Sequence, residues 1–121
     1  MGNKVLIVDD MLFMRVTLKK MLEEVGFEVV AEAENGEDGI AKYKKFLPDI
    51  VTLDITMPEM NGIEALEEIK KINPDVKVVM ISAMGQQPNV IKAVKLGAKG
   101  FIVKPFKIEK IKEAMLPLME K

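Results

Sequence analysis

Cysteine and histidine are both missing from the 121-residue chain. Without cysteine there is no disulfide framework and no thiolate chemistry. Without histidine, the usual general base and the commonest zinc ligand are gone. Net charge is nearly absent as well. Eighteen basic side chains against 19 acidic ones leave −1, so no bulk field draws the protein to nucleic acid or to anionic lipid. Apolar runs stop at about four or five residues, far short of the roughly 20 that span a bilayer. No signal-peptide core follows Met1. These absences lead to the expectation of a soluble, cytoplasmic protein with no membrane insertion, whose polar chemistry is local; a monomer is the expected state, though the sequence says little on it.

What remains is an ordinary globular balance, 49% hydrophobic and 31% charged, in a length suited to one domain over residues 1–121. The ten methionines are expected to fill the core, those of the first helix included. Short apolar runs alternate with helical patterns. Lys4 to Val8 (KVLIV) is continuous rather than alternating and reads as a strand buried on both faces. Met14, Leu18, Met21, Leu22 and Val25 then fall at helical spacing, with Gly26 placed to stop the helix. Glu28 to Ala33 reads as a second strand nearer an edge. Asn35 to Phe46 reads as a helix with Ile40, Tyr43 and Phe46 or Leu47 on its apolar stripe, ended by Pro48. Ile50 to Asp54 is a third strand, Ile63 to Ile72 an amphipathic helix, Val76 to Ser82 a fourth strand, and Pro88 to Gly97 a helix. Gly100 to Val103 is a fifth strand, and a last helix begins near Lys107. Five strand–helix units joined by short connections predict an α/β fold. The expected form is a doubly wound, five-stranded parallel sheet of flavodoxin-like type, covered on both faces.

The polar residues fall at one kind of place. Asp9 and Asp10 follow the first strand, Asp54 ends the third, Ser82 ends the fourth and Lys104 follows the fifth. In a parallel sheet these ends share one edge, where open α/β sheets bind ligands at the reversal of strand order. With the order 2-1-3-4-5, the first and third strands are neighbours and the three aspartates converge. The fifth strand then lies roughly 10 Å from the third, and a lysine side chain of about 6 Å reaches across much of that gap. Taken singly, each residue is a turn, cap or solvated charge. Their coincidence at one edge carries the functional expectation. Clustered carboxylates raise a pKa or recruit a cation. Oxygen donors without nitrogen or sulfur select Mg²⁺, with Mn²⁺ or Ca²⁺ as alternatives. Metal, lysine and an oxygen nucleophile are the positioning parts of phosphoryl transfer, and Asp54, between the metal acids and the lysine, is the best nucleophile.

Four separated motifs, VLIVDD, VTLDITMPEMNG, ISA and KPF, stand in the order and spacing of the receiver domains of two-component response regulators. The resemblance runs from Lys4 to about Met119 and is strongest to the single-domain chemotaxis type. It implies that Asp54 accepts a phosphoryl group from a histidine kinase of the CheA kind. Asp9, Asp10, Asp54 and the backbone carbonyl of Thr56 would hold Mg²⁺. Ser82 and Lys104 would bind the phosphoryl oxygens, and the Lys104–Pro105 bond is cis in similar domains. Phe101 would be the aromatic switch, buried when Ser82 moves inward. The surface of the fourth helix, fifth strand and last helix would then change its affinity for a partner, in chemotaxis the flagellar motor switch. On this resemblance the protein is a phosphoacceptor and not an enzyme, and it has no output domain.

Three positions depart from the better-known pattern. Phe101 stands where tyrosine is frequent, which implies an apolar output contact. Met84 is apolar where some relatives carry an acid, so attacking water is poorly oriented and a long-lived phosphoform is expected. Pro117 removes a backbone donor and crowds the Glu113 carbonyl, so the last helix should kink or stop near Ala114 to Leu116. Rival readings stay open. A haloacid-dehalogenase-type phosphohydrolase needs a second aspartate where Thr56 stands, and a cap domain. A flavin or nucleotide module needs a Gly-rich loop where DDMLFM stands. A stand-alone receiver in a non-chemotactic phosphorelay would share every motif.

Overall fold

The computed structural model describes residues 2–83 and 85–119. Five strands, β1 (Lys4–Val8), β2 (Glu28–Ala33), β3 (Ile50–Asp54), β4 (Lys77–Ser82) and β5 (Gly100–Val103), form one sheet in the order β2-β1-β3-β4-β5. All four pairings are parallel. Helices α1 (Leu12–Val25), α2 (Gly36–Phe46), α3 (Gly62–Ile72), α4 (Gln87–Lys95) and α5 (Ile108–Met115) connect and cover them, and a 3₁₀ turn follows at Leu116–Leu118.

Strand parity sorts the apolar residues into two cores. Leu6, Val8, Val51, Leu53, Val78 and Met80 pack with α2, α3 and α4, through Tyr43, Leu66, Ile69 and Ala93. Val5, Ile7, Ile50, Val79, Ile81 and Ile102 pack with α1 and α5, through Leu18, Leu22, Ile111 and Met115. Successive side chains of a strand point to opposite faces, so an uninterrupted apolar run is what a sheet sandwiched between helix layers requires. β2 lies at the edge and is only partly buried, as its glutamates suggest.

Local signals set the element ends. Gly26 stops α1 in the left-handed region at φ 110°, where a residue with a Cβ is strained. Asn35 caps α2 by accepting from the Asp38 amide at 2.7 Å. Asn61 and Glu64 form a reciprocal capping box at α3, with bonds of 2.9 and 3.1 Å. Pro117 acts as expected, since α5 ends at Met115 and gives way to the 3₁₀ turn.

Other expectations need correction. Phe46 and Leu47 are exposed rather than part of the α2 stripe, because the helix ends there and Leu47 turns away at φ 44°. α4 spans Gln87–Lys95 rather than Pro88–Gly97, and β4 begins one residue later than expected. Methionines fill the core in part: Met80 and Met115 are fully buried, but the first turns of α1 are not core. Met11, Leu12, Phe13 and Val16 are all exposed, Phe13 to 70%.

Thr52 lies fully buried in the middle of β3, and its hydroxyl has no hydrogen-bond partner. A buried hydroxyl without a partner costs about 1–3 kcal/mol. Thr52→Val keeps the shape and removes that cost. It is expected to stabilise the protein by about 1 kcal/mol in urea unfolding, and a loss of stability would mean that the hydroxyl is satisfied in solution.

Candidate phosphoacceptor and metal site

The carboxyl ends of β1 and β3 and the segment after β5 bring four charged side chains together, Asp9, Asp10, Asp54 and Lys104. Asp9 and Asp54 are buried, and Asp10 is exposed at the mouth. Each of the three aspartates offers an oxygen within 4.8 Å of the others. Lys104 crosses beneath, its Nζ 3.0 Å from Asp54 Oδ2 and 3.2 Å from Asp9 Oδ2. Parity explains the meeting. Asp54 continues the face of Ile50, and Lys104 continues that of Ile102, both on the α1–α5 side. The Lys104–Pro105 peptide is cis.

Backbone contacts hold the acids in place. The Asp9 carboxylate accepts from the Met11 amide at 2.9 Å, and that of Asp54 accepts from the Thr56 amide at 3.1 Å. Burial is the main influence on Asp54, and with the charge of Asp9 it pushes the pKa above the ordinary 3.8, against the pull of Lys104 and the Thr56 amide. Burial also opposes the charge on Lys104. The hydrogen bonds and charges of Asp54 and Asp9 outweigh it and raise the lysine pKa above 10.5.

The donor set fits a hard divalent cation. It is all oxygen, strongly anionic, and carries more negative charge than one lysine neutralises. A cation of this kind lowers the repulsion among the three carboxylates, which Lys104 alone relieves only for Asp9 and Asp54.

Ser82 is buried at the end of β4 and continues the parity of Val78 and Met80, on the opposite side from Lys104. Among the described residues, the partners of the Asp54 carboxylate are Lys104 and the Thr56 amide, and Ser82, at the end of the neighbouring strand, is not one of them. Phe101 is 48% exposed on β5. Met84 lies outside the described residues.

Three contributors escaped the sequence. Arg15 on α1 donates to the Asp9 carbonyl at 2.6 Å and pairs with Glu32 at 3.2 Å, pinning the acidic loop to β2. Gln86 spans the mouth of the site: its carboxamide accepts from the Ala83 amide at 2.7 Å and donates to Thr56 Oγ1 at 2.6 Å. Arg15 is the one arginine of the chain, a signal that sequence reasoning did not use, whereas nothing in the sequence sets Gln86 apart from other polar residues. Gly62 was legible only as part of an Asn-Gly turn. A Cβ there would stand 2.2 Å from the Asp54 carbonyl oxygen and 2.8 Å from Ile55 Cα. Backbone atoms give way poorly, so Gly62→Ala is expected to cost about 1–3 kcal/mol and to displace Asp54. Thermal unfolding checks the first effect, and the amide shift of Asp54 the second.

Comparison with known proteins agrees with this geometry. Residues 5–116 match the family model described as "Response regulator receiver domain". The chemotaxis protein CheY of Thermotoga maritima is 57% identical over 115 residues, covering 95% of this chain and 96% of that protein. CheY of Bacillus subtilis is 56% identical over the same coverage. A Borrelia burgdorferi structure, the CheX–CheY–BeF₃–Mg²⁺ complex, superposes with a TM-score of 0.90 at 40% identity, covering 98% of this chain and 90% of that one. The chain belongs to the response regulator receiver domain family and resembles the CheY chemotaxis regulators over nearly its whole length.

Proposed function

We propose that this protein is a phosphorylation-driven signalling switch in which Asp54 is the phosphoacceptor. The observation that carries this is the convergence of three aspartate oxygens within 4.8 Å, with Lys104 3.0 Å from Asp54. An oxygen of Asp54 attacks the phosphorus of a phosphohistidine, the P–N bond breaks, and its electron pair returns to the donor imidazole. Asp9, Asp10, Asp54 and the carbonyl of Thr56 would hold a magnesium ion, which would neutralise charge on the transferring group. The chain's own part is to hold Asp54 in place, through the Thr56 amide and Lys104, and to offer Lys104 to the new oxygens. A Borrelia burgdorferi relative solved with BeF₃ and Mg²⁺ supports both ligands by likeness. The protein is an acceptor rather than an enzyme.

The switch follows from charge. A phosphoryl group adds about two negative charges to the pocket. It favours whichever arrangement brings Ser82 and Lys104 onto its oxygens. Moving a 1:99 equilibrium to 99:1 takes about 5.5 kcal/mol, the size of two or three charge-assisted hydrogen bonds at roughly 1.5–3 kcal/mol each. As Ser82 moves, Phe101 leaves solvent, which alters the face of α4, β5 and α5. A cavity of about 660 Å³ opens there between Phe101, Val103, Ala114 and Leu118, with Lys99, Lys107 and Lys110 at its rim. That combination suits an apolar segment carrying acidic residues. On the likeness to CheY, the donor is a CheA-type kinase and the partner the flagellar motor switch. Incubation with acetyl phosphate and Mg²⁺, read by intact mass, is expected to add one phosphoryl group. No uptake would sink the proposal. Pull-down with kinase and motor-switch components separates chemotaxis from another phosphorelay.

A further inference from the structure

β3 and β4 stay in register to the pair Asp54 and Ile81, and the Ile55 amide still bonds the Ile81 carbonyl at 2.9 Å. Two residues further along each chain stand Thr56 and Ala83. Here no backbone bond continues the ladder among the described residues, and one side chain joins the two segments. The Gln86 carboxamide accepts from the Ala83 amide and donates to the Thr56 hydroxyl. It acts as one more rung, built from a side chain, across the mouth of the acidic pocket. Both bonds are short and well inside hydrogen-bond range. Gln86 is the N-terminal boundary residue of α4, yet its side chain does not cap that helix, so the carboxamide is committed to the two loops.

The placement matters because of what the rung occupies. Thr56 is the residue whose amide bonds Asp54. Ala83 is the residue after Ser82, which ends β4. A phosphoryl group on Asp54 brings new acceptor oxygens into the space that these two segments border. The Ala83 amide, already spent on Gln86, is then wanted by a stronger, charged acceptor. Movement of Ser82 toward those oxygens also carries Ala83 with it.

We infer that Gln86 is a latch for the unmodified state: its carboxamide holds the β3–α3 and β4–α4 loops together, and it must release Ala83 when Asp54 is modified. This inference rests on Asp54 as the acceptor. The latch stabilises only the state in which it is closed, so it sets the threshold for switching. Cutting it lowers that threshold by what about one net hydrogen bond contributes, a factor of roughly three to ten.

Beryllium fluoride with Mg²⁺, titrated while amide spectra are recorded, tests this at equilibrium. For Gln86→Ala the half-saturating concentration is expected to fall about threefold to tenfold. In the unmodified protein, exchange of the Ala83 amide should speed up by a similar factor. Thr56→Val cuts the other end of the rung without touching α4 and should act in the same direction. The double variant should gain little beyond the larger single effect, because both changes break one staple. Unchanged or weaker binding in Gln86→Ala would overturn the latch, as would fully additive effects. Should the parent protein bind no beryllium fluoride and take up no phosphoryl group, the acceptor assignment itself fails, and the latch with it. A parent that responds normally beside an unresponsive Gln86→Ala variant sinks the latch alone.

Discussion

Asp54→Asn is expected to abolish phosphoryl uptake from acetyl phosphate and, in the same preparation, to make the metal-free protein harder to unfold. The first effect is chemical, since the amide is not a nucleophile for phosphorus and the remaining acids lie on other segments. The second follows from electrostatics. Asp54 is nearly buried, and burial together with Asp9 raises its pKa above 3.8 despite Lys104. A raised carboxyl pKa means that the folded state binds its proton more tightly than the unfolded one. The stability this group contributes is therefore full below 3.8 and is lost as pH rises through the raised value. At neutral pH the ionised aspartate is a liability, and asparagine removes it. Each kcal/mol of gain would read as roughly 3–6 °C in Tm for a domain of this size. That gain should shrink as the pH falls toward 3.8. Magnesium should reverse the ranking. A ligand present at a hundredfold excess over its Kd stabilises by about 2.7 kcal/mol, and the variant has lost a carboxylate ligand. Urea unfolding across pH, with chelator and with Mg²⁺, gives all three results. A variant less stable than the parent in chelator at neutral pH would show that the bond to Lys104 outweighs the burial of charge.

Lys104→Met should have the opposite sign and a larger size. The methionine roughly keeps the length of the stem but removes the only ammonium bonded to Asp9 and Asp54 among the described residues. Both acids are then left facing each other with little water. Removing one partner of a buried ion pair costs about 3–5 kcal/mol, and the residual 20% exposure of the Lys104 side chain places this case near 3 kcal/mol. Magnesium should rescue the variant more than it stabilises the parent, because the cation takes over the neutralising role. In the parent, the raised Lys104 pKa makes its contribution full below 10.5 and lost only as pH rises through the higher, folded value. The ion pair is thus intact across the physiological range. Equilibrium urea unfolding in chelator decides the matter. A loss below about 1 kcal/mol would mean that solvent screens the pair as it does at a surface.

Much of this architecture was legible in the chain. Continuous apolar runs such as VLIV suit a strand covered on both sides, and the helix between each strand and the next supplies the long crossover that a parallel pairing needs. The edge position of β2 followed from its glutamates, and the break after α5 followed from Pro117. The location of the acids was legible too, because chain direction alone puts every carboxyl end of a parallel sheet on one side. Sequence reasoning was weakest where burial depends on the length of a neighbouring element. Phe46 and Leu47, read as part of the α2 stripe, lie outside the core, since the helix ends there and Leu47 turns away at φ 44°.

By itself the sequence determined which residues are available at the site: three aspartates, one serine and one lysine, each tied to a strand end by local hydrophobic pattern. It also determined the class of cation they suit, since donor chemistry is a property of the side chains. Only the tertiary structure decided how these groups engage. Side-chain parity set Lys104 against both Asp9 and Asp54 and left Ser82 outside that contact, while Gln86 joined two loops that are 30 residues apart. The physical reason is range. Pattern and propensity act over a few residues along the chain, whereas burial, ion pairing and hydrogen-bond satisfaction act between segments that meet only after the sheet has formed.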